Sequence, residues 1–202
     1  MSVAMTAMLP DTLPTDIVDW LPRQGSWNEE EYLWLSEHTN RLVEFTDGYI
    51  VELPMPTVKH QAILKFLFLA FHIFLQPIGG IVFFAPLRLR IRPRKFREPD
   101  LLLVLDKRDP RNSNRFWSGA DLVVEVVSLD NPERDLVEKR ADYAEGGIPE
   151  YWIVDPAAET ITVLRLEGAA YAEHGVFGRG ALASSALLPS FTVSVDATFD
   201  AE

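Results

Sequence analysis

Residues Asp121 to Lys139 read Asp-Leu-Val-Val-Glu-Val-Val-Ser-Leu-Asp-Asn-Pro-Glu-Arg-Asp-Leu-Val-Glu-Lys. The run from Leu122 to Ser128 is nearly all β-branched or apolar, which suits a strand covered on both faces. Glu125 is the exception. An ionised carboxylate costs on the order of several kcal/mol to bury unless a cation, a metal or hydrogen-bond donors meet it. Something must therefore face Glu125, and the turn after it leads into a helix expected from about Pro132 to Glu145, closed by Gly146-Gly147.

On a helical wheel that segment gathers Leu136, Val137, Ala141, Tyr143 and Ala144 into an apolar arc, with Lys139 on its rim in one stripe with Asp135 and Tyr143. Arg140 falls near the middle of the arc. It is the structural alternative as a partner for Glu125.

The 202-residue chain is long enough for one domain with a self-sufficient core, and its hydrophobic fraction, 48%, is ordinary. It has no cysteine, which excludes disulfides, zinc-thiolate sites and cysteine nucleophiles. The N-terminus lacks the pattern of a secretory signal, so a cytoplasmic location and no membrane partner are expected. The formal charge of −11 argues against tight, non-specific binding of nucleic acid. A local patch of opposite sign survives: Arg88, Arg90, Arg92, Arg94, Lys95 and Arg97 lie together with no acid among them.

Met1 to Trp27 hold three prolines and little periodicity, and read as an irregular leader packed through Trp20 and Trp27; residues 28–202 read as a single domain. Asn28 can cap a helix from Glu29 to about His38. Leu42–Phe45 and Tyr49–Leu53 flank Asp47-Gly48, a hairpin signal. Thr57 can cap an apolar helix from about Val58 to Gln76, to be buried or to lie in a subunit interface. Ile81–Phe84 and Leu87–Ile91 suggest strands, the second with Arg88, Arg90 and Arg92 on one face. Leu101 to Leu105 is a central strand with Asp100 at its start. Pro149 to Pro156 and Ile161 to Leu166 pair as strands, and Phe191 to Val195 supplies a last one.

An acid at the start of a strand (Asp100), an acid inside a neighbouring strand (Glu125) and a lysine on the next helix (Lys139) are the ingredients of a metal-dependent phosphodiesterase. The carboxylates would hold a hard cation such as Mg2+ or Mn2+, and the lysine would position water or steady developing charge.

Glu98-Pro99-Asp100-Leu101, Val124-Glu125-Val126-Val127-Ser128, Asp135 with Lys139 and Tyr143, and Gly147 through Asp155-Pro156 together resemble the Uma-two family of restriction endonucleases, within the PD-(D/E)XK nuclease superfamily. The Asp47-Gly48 hairpin and His60 resemble that family's N-terminal half. The resemblance implies an α/β fold of mixed α+β type with a restriction-endonuclease-like core. It makes Asp100 and Glu125 the motif acids, and Lys139 a migrated lysine, since Val127 stands where the simplest pattern has one. Ser128-Leu129-Asp130 departs from the Ser-Pro-Ser of relatives.

Further candidates surround these. Glu44 or Glu52 can add a third carboxylate. His60 is a core or capping histidine or lies at the site edge, and Tyr143 is a core aromatic whose hydroxyl reaches that edge. Arg88, Arg90, Arg92 and Arg94 form either a solvated face or a nucleic-acid track. The expected function is metal-dependent hydrolysis of nucleic acid, DNA by preference, by a homodimer. The competing readings are a nuclease fold that only binds, and a phosphoesterase for small substrates.

Overall fold

The structure, a computed structural model, describes residues 21–128 and 133–202. Most of the leader, with Trp20, lies outside the described residues. Helix α1 (Glu29–His38) begins with a capping box: the Asn28 side chain accepts from the Glu31 amide while Glu31 accepts from the Asn28 amide. Strands β1 (Val43–Thr46) and β2 (Tyr49–Glu52) form the expected hairpin. Its turn needs glycine at Gly48, where φ is 98° and an added Cβ would stand 2.4 Å from the Gly25 carbonyl oxygen. Strands β4 (Leu89–Arg92) and β5 (Lys95–Arg97) complete a four-stranded sheet in the order β2-β1-β5-β4. Tyr32 and Leu33 of α1 close its core with Trp27, Val43, Phe45 and Phe96.

The central sheet has six strands in the order β10-β9-β8-β7-β6-β3. These are β3 (Ile81–Phe84), β6 (Leu101–Val104), β7 (Leu122–Val126), β8 (Glu150–Asp155), β9 (Thr160–Glu167) and β10 (Ala170–Phe177). Only the β7–β8 pair is parallel, so the sheet is mixed. Every residue of β6 and β7 is buried, as the apolar runs require.

The alternation of these strands separates two cores. Leu101, Leu103, Val124 and Val126 face α2 (Val58–Leu75), while Leu102, Val104, Val123 and Val127 face α3 (Lys139–Glu145) through Tyr143. The mixed sheet is thus flanked by helices on both faces. Helix α2 is half-buried: Ile63, Leu67, Phe71 and Leu75 are sealed in the core, whereas Leu69 is 49% and Ile73 70% exposed. It is long and apolar enough to cross a membrane by length and composition, but its inner face packs in this core. The pair β11 (Leu182–Ser184) and β12 (Thr192–Ser194), with helix α4 (Val195–Phe199), finishes the chain.

The helix after β7 differs from the wheel. Arg134–Glu138 is π-helical, with the Lys139 amide donating to the Arg134 carbonyl five residues back. The wider turn shifts every later position. Leu136 and Val137 are exposed, at 39% and 58%, while Asp135, Lys139, Asp142 and Tyr143 turn inward. Arg140 is exposed, its Nη2 donating to the Tyr171 carbonyl at 3.0 Å, so it is not the partner of Glu125.

Candidate active site

Strands β6 and β7 pair antiparallel with Leu101 opposite Val124 and Leu102 opposite Val123. Asp100 immediately precedes β6, and its Oδ2 accepts from the amide of Val126, next to Glu125 in β7. The two motif acids are thereby brought to the same end of the sheet.

Glu125 is 2% exposed. Its Oε2 lies 2.7 Å from Lys139 Nζ, and its Oε1 accepts a short hydrogen bond from the Tyr143 hydroxyl. Lys139 Nζ lies 2.9 Å from Asp135 Oδ1, and Asp135 Oδ2 accepts from the Ser128 amide at 3.2 Å. The stripe Asp135, Lys139, Tyr143 thus converges on Glu125. The spacing puts all three in one stripe; in the fold Asp135 both pairs with Lys139 and fixes the chain where β7 ends.

Asp100 Oδ2 accepts from the Val126 amide at 2.8 Å and lies 3.1 Å from His60 Nε2. Thr57 caps α2 by accepting from the His60 amide, which sets His60 in the first helical turn, above the sheet end. Of the two candidate third carboxylates, Glu44 is the one beside the site. It is 1% exposed, accepts from the Glu98 amide at 3.2 Å, and pairs with Arg97 at 3.4 Å and closely with Arg134. Glu52 is displaced from it, exposed on β2 and paired with Arg41. Arg134 had no role assigned from sequence, and Glu98 was quoted only as the first residue of the Glu98-Pro99-Asp100-Leu101 motif, without a role of its own.

Burial pushes the Glu125 carboxyl well above the ordinary carboxylate range, with the Lys139 ammonium opposing and Asp100 adding to the rise. Lys139 stays cationic: burial would lower its pKa, but Glu125, Glu44, Asp135 and Asp100 together hold it up. Burial also pushes the Tyr143 phenol up, so it remains a donor to Glu125. Glu98 is pushed up to about 7, first by burial and then by Glu44. Desolvation lowers His60, but the hydrogen bond and charge of Asp100 outweigh it and leave the imidazole above its usual value.

Most of the cationic strand is paired within the chain, while Arg94 is exposed. Arg90 pairs with Glu29 at 3.3 Å, and Arg92 with Asp47 and Glu145, each at 2.7 Å. Lys95 pairs with Asp142 and Glu145, and Arg97 with Asp142 and Glu44. Arg88 donates to the Arg115 carbonyl at 2.8 Å, and the Arg94 amide donates to Glu29. Alternation along one strand says which residues share a face. It does not show that acids from α1, α3 and the β1–β2 turn will cover that face.

Among the described residues no three His, Asp or Glu side chains converge closely enough to cage a metal. Magnesium does not need such a cage, being held commonly by one or two carboxylates with waters and substrate phosphates. Asp100 fits that demand, since its Oδ1 takes no hydrogen bond from a described residue and would be the oxygen it offers. Glu125, whose oxygens face Lys139 and Tyr143, would share one of them with the ion.

Asp100, Glu125 and the buried Lys139 thus gather at one end of the mixed sheet of an α/β protein. The family model for Uma2, described as "Putative restriction endonuclease", matches residues 29–196, and the chain belongs to that family. The fold is shared with a crystal structure from Anabaena variabilis described as "a putative nuclease belonging to DUF820". The two align with a TM-score of 0.71 and 24% identity over 86% of this chain and 97% of that one. No curated protein matches.

Proposed function

We propose that the protein is a metal-dependent endonuclease that hydrolyses phosphodiester bonds of DNA, with Asp100 and Glu125 holding Mg2+ or Mn2+. The observation that carries this reading is Asp100 bonded to the Val126 amide beside Glu125, with Lys139 Nζ 2.7 Å from Glu125. Family membership supports it. When bound, the ion supplies Lewis acidity toward the phosphate and toward an attacking water.

The chain's own groups do the rest. The Lys139 ammonium, held between Glu125 and Asp135, offers its N–H bonds to charge developing on the phosphate oxygens. The Tyr143 hydroxyl fixes Glu125 Oε1, and the Val126 amide fixes Asp100 Oδ2. Both acids are thus oriented before substrate arrives.

Two copies would cut two strands. The outward residues Leu69 and Ile73 of α2, with Phe84 of edge strand β3 at 60% exposure, support a homodimer as part of this reading. The test is conversion of supercoiled plasmid and of single-stranded DNA with Mg2+, with Mn2+ and with chelator, for the parent and Asp100→Asn. Metal-dependent cutting absent from the variant is expected; equal cutting by both would sink the assignment.

One observation favours a second reading, a nuclease fold that binds without cutting: both Glu125 oxygens already have partners within the chain. That reading requires that divalent ions leave the melting temperature of the parent unchanged.

A further inference from the structure

Asp100 is gripped from two directions. The Val126 amide donates to Oδ2 from the neighbouring strand, and His60 Nε2 approaches the same oxygen from the first turn of α2. An ionised carboxylate only accepts, so Nε2 carries the hydrogen. Oδ1 takes no hydrogen bond from a described residue.

The remainder of the ring explains little by packing. Its side chain is 15% exposed, and Nδ1 is buried without a partner among the described residues. Leaving a buried polar atom unpaired costs about 1–3 kcal/mol, which an apolar residue of similar size would avoid. Capping does not need the imidazole either, because Thr57 supplies the cap to the His60 backbone. What the imidazole adds is the bond to Asp100.

We propose that His60 is a positioning residue of this site. Its Nε2–H pins Asp100 Oδ2 against the Val126 amide, so that Oδ1 is the oxygen turned toward the cation and the substrate phosphate. The inference rests on the metal-dependent reading, and its test separates the two.

Mn2+ is titrated by calorimetry into the full chain as parent, Asp100→Asn, His60→Leu and His60→Gln, with an unfolding curve for each. Glutamine carries an amide N–H near the place of Nε2, whereas leucine carries none. Partners that orient a metal ligand typically affect affinity 10–100-fold, so His60→Leu should weaken Mn2+ binding by roughly that factor and His60→Gln should restore it to within about threefold. Binding by His60→Leu equal to the parent's, with Asp100→Asn defective, would overturn the role of His60 and leave the site standing. Binding by the parent no tighter than by Asp100→Asn would overturn the metal site and the proposal with it. Should His60→Leu fail to fold, His60→Gln decides: folded but as weak as Asp100→Asn, it contradicts the donor role.

Discussion

Glu125 is the one charged residue of the buried strand β7, and its two oxygens are met by Lys139 and Tyr143. Removing one partner of a buried ion pair strands the other, at a cost of about 3–5 kcal/mol, whereas replacing both can be neutral. Lys139→Met should therefore lose stability on that order. The double variant Glu125→Leu with Lys139→Met should recover only part of the loss, because buried Asp135, 2.9 Å from Lys139 Nζ, is left without its cation, as urea unfolding of the cycle would show. Tyr143→Phe keeps the ring and removes only the donor, so about 1–3 kcal/mol should be lost with the fold intact. An unchanged midpoint for Tyr143→Phe would mean that the hydroxyl does not hold Glu125. At this scale the sequence was most legible. A lone carboxylate in an apolar strand demands a partner, and the i, i+4, i+8 stripe points to Lys139 and Tyr143. It could not choose between Lys139 and Arg140 by the wheel, because the wheel assumes one pitch throughout.

The element that decided that choice is the π turn at Arg134–Glu138, which rotates Asp135 and Lys139 inward and leaves Leu136 and Val137 in solvent. A second linkage joins the four-stranded sheet to α3: Asp47 to Arg92, Arg92 to Glu145, Glu145 to Lys95, Lys95 to Asp142, and Asp142 to Arg97. Hydrogen bonding from Lys95 lowers the Glu145 pKa, and hydrogen bonding from Arg92 lowers that of Asp47. Depressed carboxylates contribute stability that is present above their unfolded values of 4.5 and 3.8 and lost as pH falls through the lower folded values. Melting temperature should drop on acidification from about pH 5 downward, and Arg92→Gln should shrink that drop. A slope unchanged in Arg92→Gln would place the acid lability elsewhere. Elements missed from sequence share a cause. Strand β5 is three residues long, and β10 carries Gly175, beside a register shift, which reads as loop punctuation. Long apolar strands such as β6 and β7 announce themselves; short edge pieces take their form from the neighbours they pair with.

Across the whole molecule the distribution of charge matters more than its sum. Arg90, Arg92, Lys95 and Arg97 are paired with acids and join layers, so they are less free to release counterions from a nucleic acid, whereas the exposed Arg94 makes no ion pair among the described residues. Arg92→Gln should lower the melting temperature while leaving the salt dependence of DNA binding unchanged; a flatter salt slope in that variant would restore the strand as a binding track. The exposed face of α2 beside β3 should pair two copies, and Ile73→Glu should convert a dimer seen by light scattering to monomer. A parent that is monomeric at all concentrations would remove that part of the proposal.

The central claim is that Glu125 and Lys139 serve one hydrolytic site, and it is tested most directly by cleavage of supercoiled DNA with Mg2+ or Mn2+. Parent, Glu125→Ala and Lys139→Ala are purified identically and shown to be folded at the assay temperature. Metal-dependent cutting by the parent, lost in both variants, is the result expected from Lys139 Nζ lying 2.7 Å from Glu125. Cutting that survives in both variants at the parent's rate would contradict it.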